Sequence, residues 1–310
     1  MTSDPVNPFV VDPFVSASQA LVPFKEDHDG LYVPVDDSER QYLIFQRQLG
    51  DLSSVMTSGR AVLATGDTGC GKSALLNRCA NWVKTQLAQR SVVAKVVDAT
   101  RVHFMVEGLA LAERMVVMCD NLFDLMDQRG LIRSEFRDEF ERNRREPDRV
   151  YRNLDRYMPP NHVLILLLPA SGDLWREVTR YAVHARPRVL FMLESDKFGR
   201  EDVDRIEREV AKWTRIVVLT SGRLVEGDVR RFVEARTEQN ASRGRFPRLT
   251  DDTVAAIGKR LHTVAQLQET LQRTFDYLMD HADDYGDALV TVEHIIEATE
   301  HVSKDGWESR

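Results

Sequence analysis

Gly66-Asp67-Thr68-Gly69-Cys70-Gly71-Lys72-Ser73 follows an apolar run, Ala61-Val62-Leu63-Ala64, and leads into a helical pattern from Ala74-Leu75-Leu76 to Leu87. The spacing is G-x-x-x-x-G-K-[ST] between a strand and a helix, the Walker A or P-loop signature. Its residue types suit one task. Glycines let backbone N–H groups turn inward around anionic oxygens, which then sit at the positive end of the next helix. Lys72 can reach the β- and γ-phosphates, and the Ser73 hydroxyl can hold Mg²⁺. Gly66, Asp67, Thr68, Gly69, Cys70, Gly71, Lys72, Ser73 and the adjoining Ala74 are therefore the expected cradle of a nucleoside triphosphate. Every fixed position is matched and both flanks are right, which separates the stretch from a Gly-rich turn of no function.

The rest of the composition bounds what surrounds that loop. A chain of 310 residues allows one large domain or two, at roughly 100–200 residues per domain. With 43% hydrophobic and 29% charged residues it reads as a water-soluble globular protein. No apolar run approaches the roughly 20 residues that span a membrane, and the N-terminus lacks a basic region followed by an apolar core, so neither insertion nor a signal peptide is expected. Cys70, Cys79 and Cys119 have no metal-ligand spacing, and a cysteine inside the phosphate loop favours a reducing cytoplasm. A net charge of −7 argues against a surface given over to nucleic acid, though not against a local basic patch.

Working outward, residues 1–36 carry five prolines among Phe and Val, with a near-repeat in Asn7-Pro8-Phe9-Val10 and Asp12-Pro13-Phe14-Val15. Proline fixes φ and removes a donor, so this arm should be extended. It could pack on the protein's own core or on a neighbouring subunit. Ser38 to Leu52 reads as a helix, with Ser38 as its cap. Near-continuous apolar runs mark further strands at Val92–Asp98, Val163–Leu168, Val189–Leu193 and Arg215–Leu219. Alternating with helices, they imply a parallel sheet covered on both faces. Met115-Val116-Val117-Met118-Cys119-Asp120 imitates a strand ending in a metal-binding Asp120. It continues without a breaker into Leu122, Leu125 and Met126, so helix is the preferred reading. After Gly222 the strands stop and four helical patterns follow, with Thr250 as an N-cap before Asp251-Asp252.

Five strands with Walker A on the first, then a helical bundle, resemble the AAA+ superfamily, nearest to its ExeA-like, TniB-like and origin-recognition-type ATPases. Val22-Pro23-Phe24 and Leu31-Tyr32, ahead of a helix and Walker A, resemble the lead-in of ExeA-like proteins. Asp228 to Arg236 resembles the first lid helix, and Phe246-Pro247-Arg248-Leu249-Thr250-Asp251-Asp252 the start of the second. The resemblance implies an extended arm (1–36), a nucleotide-binding α/β domain (37–221) with a five-stranded parallel sheet and helices on both faces, and an all-helical lid (222–310). It also implies ATP with Mg²⁺ as ligands, and a homo-oligomer or a place in a multi-protein complex. DNA is a further partner it suggests.

The departures from the family pattern carry as much information. The Walker B motif should close the third strand with Asp-Glu, but Ile165-Leu166-Leu167-Leu168 runs straight into Pro169. That leaves the magnesium without a usual ligand and the attacking water without its base. The fourth strand ends in Glu194-Ser195-Asp196, and in the family's strand order it lies beside the first. Glu194 is therefore the expected substitute catalytic acid and Asp196 the expected metal ligand beside Ser73, unless both merely begin a polar loop. The lid segment His262-Thr263-Val264-Ala265-Gln266-Leu267 lacks the family's sensor arginine, and Arg260 is near but off the phosphate. Arg215, before the fifth strand, is the candidate arginine finger for a neighbouring subunit, or else a solvated structural residue. The basic run Arg142 to Arg156 is interleaved with acids, as on a solvated helix face. His103, His162, His184 and His294 have no ligand spacing, and Phe275, Tyr277 and Leu278 read as lid core.

The sequence thus points to a nucleotide-dependent switch or scaffold with weak or partner-dependent hydrolysis. An active ATPase that drives a partner or assembles on DNA is the alternative.

Overall fold

The computed structural model describes residues 4–13, 16–17, 19–171 and 175–308, with the backbone alone for 302–308. Phe14 and Val15 of the near-repeat, and the expected turn and helix start at Gly172-Asp173, lie outside the described residues.

Five strands, β1 (Arg60–Thr65), β2 (Val93–Asp98), β3 (His162–Leu167), β4 (Val189–Ser195) and β5 (Ile216–Thr220), form one sheet in the order β2-β3-β4-β1-β5. All neighbours are parallel, with Thr65 opposite Ser195 and Thr220. The C-terminal ends of β1 and β4 therefore open side by side. Side chains alternate across each strand, and the two halves go to different cores. Ala61, Leu63, Leu164, Leu166, Phe191 and Leu193 face one layer of helices. Val62, Ala64, Val163, Ile165, Leu190 and Met192 face the other.

The second of those layers holds α1 (Ser38–Leu49), α2 (Ser53–Ser58) and α3 (Lys72–Ala88). On the opposite face lie α4 (His103–Val106), α5 (Leu111–Asp127), α6 (Ser134–Asn143), α7 (Pro147–Arg152), α8 (Leu154–Tyr157), α9 (Trp175–Val183) and α10 (Arg200–Val210). The ambiguous run Met115–Asp120 is helical within α5, and Asp120 takes the Arg144 guanidinium. The helix expected over Ser38–Leu52 breaks at Gly50, whose φ of 54° no ordinary residue adopts cheaply. Asp37, not Ser38, is the N-cap, because the Ser38 hydroxyl turns back to donate to the Val35 carbonyl.

Beyond β5 come α11 (Asp228–Asn240), α12 (Asp251–Arg260), α13 (Val264–His281) and α14 (Val292–Glu308). This lid is helical as expected, with one addition. Two-residue strands β6 (Arg248–Leu249) and β7 (Leu289–Val290) pair in parallel, too short to show any period. Thr250 caps α12 by accepting from the Thr253 N–H. The lid has its own core, in which Phe275 and Leu278 are buried.

The arm packs on the chain's own lid. Phe9 is fully buried, 4.9 Å from the Phe275 ring centroid and 6.4 Å from that of Phe232. From there the arm crosses to the sheet layer, where Leu21 accepts from Asn77 of α3 and Lys25 pairs with Asp98 at 2.8 Å.

Candidate functional site

β1 delivers the chain into the 66–73 turn, and α3 begins at Lys72 with Gly71 as its N-cap. Two glycines are required by close approach. A Cβ on Gly66 would stand 2.3 Å from the Ser221 carbonyl oxygen, and one on Gly69 would stand 2.8 Å from Thr263 Oγ1. Lid and loop are thus in contact, and the Ala265 N–H donates to the Gly69 carbonyl at 3.1 Å. The Lys72 ammonium folds back into the loop and donates to the Gly66 and Asp67 carbonyls, each at 2.9 Å. Asp67 is held in turn by Arg223 at 2.6 Å. Cys70 is buried, and burial, with Asp67 and Asp36 adding to it, pushes its thiol up, so it stays protonated and unreactive. Tyr32 of the arm donates to the Ala74 carbonyl at 3.0 Å.

The acids at the end of β4 reach this loop. Ser73 Oγ donates to Glu194 Oε2 at 2.7 Å, and Thr68 Oγ1 donates to Asp196 Oδ2 at 2.7 Å. That hydroxyl holds the Asp196 carboxyl below the usual range. Glu194 and Asp196 are two apart and so leave the sheet on one side, with Ser195 buried between them. The longer Glu194 meets the first residues of α3, whereas Asp196, one step past the strand, meets the loop's outer turn. Of the two residues expected to hold the metal, Ser73 is thus bonded to Glu194 and Asp196 to Thr68.

The end of β3 carries Leu167, Leu168, Pro169 and Ala170 and no acid, as the sequence indicated. What occupies this corner is Arg114 of α5. It donates to Glu177 at 2.9 Å, to the Val106 carbonyl at 2.8 Å and to the Ala170 carbonyl at 3.1 Å. Arg114 and Arg236 both line the cavity, and sequence reasoning passed over both. Each left a trace, however. Arg114 stands inside an apolar helical run, and Arg236 continues the buried four-residue spacing Asp228, Phe232, Arg236, Asn240.

Arg215 lies at the opposite end of the sheet, exposed and beside Arg60, whose own pKa is lowered by burial and by Arg215. A strand of five or six residues spans about 17–20 Å, so Arg215 cannot reach its own phosphate loop. Arg260 is exposed at the end of α12. Of the four histidines, His184 is bound to Asp148 at 3.0 Å, whereas His103 lines the cavity described next, its Nδ1 buried and without a hydrogen-bond partner among the described residues.

A cavity of about 800 Å³ joins these parts. It is lined by the phosphate loop and the β4 acids together with Val11 of the arm and Phe232, Arg236, Gln268 and Gln272 of the lid. Among the described residues no group of three His, Cys, Asp or Glu side chains could hold a metal, and no helix is long and apolar enough to cross a membrane.

No family model and no curated protein matches this chain. Solved structures do. The ORC1 protein of Aeropyrum pernix, solved in complex with DNA, is 16% identical over 86% of this chain, with a TM-score of 0.55. The chain spans 66% of that protein. The ORC2 protein of the same organism, in its ADPNP-ADP complexes, is 11% identical over 96% of this chain and 72% of its own, with a TM-score of 0.51. At such identities the likeness is one of fold, and it matches the expected parallel α/β sheet followed by a helical lid.

Proposed function

We propose that this chain, which has the AAA+ fold, binds ATP at Gly66–Ala74 and acts as a nucleotide-dependent switch or scaffold subunit in a larger assembly, with weak or partner-dependent hydrolysis. One observation carries the reading. The Lys72 ammonium is held inside a glycine turn at the N-terminus of a 17-residue helix, at the mouth of a cavity shared with the lid. Such a turn offers inward N–H groups, a helix end and a positive charge to the same anion.

The oxygen-only donor set suits Mg²⁺. The Ser73 hydroxyl would ligate it and Glu194, already on that hydroxyl, would stand beside it, with Asp196 further out. When bound, the ion would offset charge on the β- and γ-phosphates. Lys72 would then leave the Gly66 and Asp67 carbonyls for phosphate oxygens, and the Ala265–Gly69 contact would report the change to the lid. A switch follows only if the two lid positions bind nucleotide with different affinity. The acid-free end of β3 favours slow turnover. Glu194 on Ser73 favours the second reading, an active ATPase driving a partner or assembling on DNA. Arg215, exposed and a strand's length from its own loop, is suited to act on a neighbouring subunit's phosphate in a homo-oligomer. The division at residues 36 and 221 and a cytoplasmic location belong to the same reading, the latter supported by three buried free thiols.

Turnover of ATP by wild type and Lys72→Ala, with and without duplex DNA, tests it. Tight binding with little turnover alone supports the switch. Fast turnover that Lys72→Ala abolishes supports the ATPase, and absence of ATP binding under every condition removes both.

A further inference from the structure

At the end of β3, where the sequence offers no acid, one buried arginine gathers the chain. Arg114 is 5% exposed and its partner Glu177 2%. Its Nε donates to Glu177, its Nη1 to the Val106 carbonyl and its Nη2 to the Ala170 carbonyl. A buried ion pair is a poor way to gain stability, because desolvation can exceed the attraction and apolar side chains of similar volume would serve. What a planar guanidinium supplies that they do not is direction, with several donors held in one fork. The Ala170 carbonyl is the informative acceptor. Backbone bonds between β3 and β4 advance two residues at a time, and Leu164 N–H donates to the Arg188 carbonyl and Leu168 N–H to that of Met192. The same step would set the Ala170 N–H on the Glu194 carbonyl. Ser171 stands there instead, its N–H donating at 3.1 Å and its Oγ at 3.3 Å. Pro169 and Ala170 thus put an extra residue into the end of β3, a bulge of the kind that re-aims a side chain. Arg114 holds the bulge, the bulge holds the Glu194 backbone, and the Glu194 carboxylate accepts from Ser73 Oγ at 2.7 Å. Arg114, Ala170, Ser171, Glu194 and Ser73 all line the same cavity.

We propose that Arg114, locked by Glu177, is the positioning residue for Glu194. By fixing the bulge at the end of β3 it sets the place at which the Glu194 carboxylate would stand beside a magnesium ion on Ser73. The proposal rests on the reading of Gly66–Ala74 as the triphosphate loop. It gives the acid-free end of β3 a task, which is to aim a carboxylate from β4 instead of carrying one.

Two variants test it. Arg114→Lys keeps a cation beside Glu177 and loses the planar fork. Arg114→Met combined with Glu177→Met removes both buried charges and so escapes the cost of leaving one unpaired. Calorimetry with ATP, in magnesium and in EDTA, would be run on wild type, on both variants, and on each of them combined with Glu194→Gln. Wild type should bind ATP more tightly in magnesium. Both variants should lose about fivefold to tenfold of that affinity, the order of one displaced charge-assisted contact. Their affinity in EDTA should stay within about twofold of wild type, which also shows that they fold. In the Glu194→Gln background the same changes should cost less than about twofold, because residues that act through one another are not additive. Equal losses in magnesium and EDTA, or a loss of the same size with and without the Glu194 carboxylate, would overturn the proposal and make Arg114 a purely structural residue. So would unchanged affinity in both variants. A wild type that binds ATP equally in the two media would also overturn it and leave the phosphate reading standing. No ATP binding by wild type would remove that reading, and this proposal with it.

Discussion

At Glu194 the chemistry turns on which atoms its carboxylate touches. Its Oε2 accepts from Ser73 Oγ, the hydroxyl that the loop signature assigns to magnesium. In Glu194→Gln the residue keeps its length and loses its charge. ATP affinity measured with magnesium should then fall about tenfold, the order of one charge-assisted hydrogen bond. Affinity measured with EDTA should not move. Equal losses in both media would place Glu194 in loop structure instead of beside the ion. The reach of Glu194 was legible in part: an acid at the end of the strand neighbouring β1 is visible in the sequence. Which of Glu194 and Asp196 meets Ser73 was not, because it depends on the strand register and on where β4 ends.

Among the elements, the arm shows most plainly how tertiary contacts decide what periodicity cannot. Its prolines announce an extended chain but not its destination. The structure gives the answer in Phe9, enclosed by Phe232 and Phe275, with Asn7 donating to Gln272 and Asp276, and Asn240 donating to Pro8. Phe9→Ala should destabilise the protein by about 3–5 kcal/mol, the usual cost of removing a buried aromatic ring, read as a shift in the urea midpoint. A change below about 0.5 kcal/mol would mean that the arm is not packed on the lid in solution. The five strands and most helices could be read directly, since buried parallel strands are continuous apolar runs. The β6–β7 pair could not, being shorter than any repeat. Nor could the contacts of Arg114, which are made to Ala170 and Glu177 far along the chain.

Across the whole molecule, arm, sheet and lid converge on Asp36. Its N–H donates to Asp228 Oδ2 at 3.1 Å, its carbonyl accepts from Gly222, and its Oδ1 has no partner. Burial, with Asp228 and Asp37 adding to it and Ser38 hydrogen bonds opposing it, pushes its carboxyl up to about 7. The unfolded carboxyl titrates near 4. Between about pH 4 and about pH 7 the folded chain thus keeps a proton that the unfolded chain has released, so this group's contribution to stability declines as pH rises. Asp36→Asn should flatten that part of the pH–stability profile in urea unfolding. An unchanged slope would show that Asp36 is already ionised across that range in the folded protein. The carboxyl also lies close to the loop, 3.2 Å from where a Cβ on Gly71 would be, so the three parts meet beside the phosphate loop.

Titration calorimetry of the purified protein with ATP and magnesium tests the central claim most directly, with Lys72→Ala measured beside it. Saturable heat for one site per chain is predicted, with affinity about 10–100-fold weaker in the variant, as expected for a lost ammonium–phosphate contact. No heat with wild type, or equal affinity in the two proteins, would contradict it.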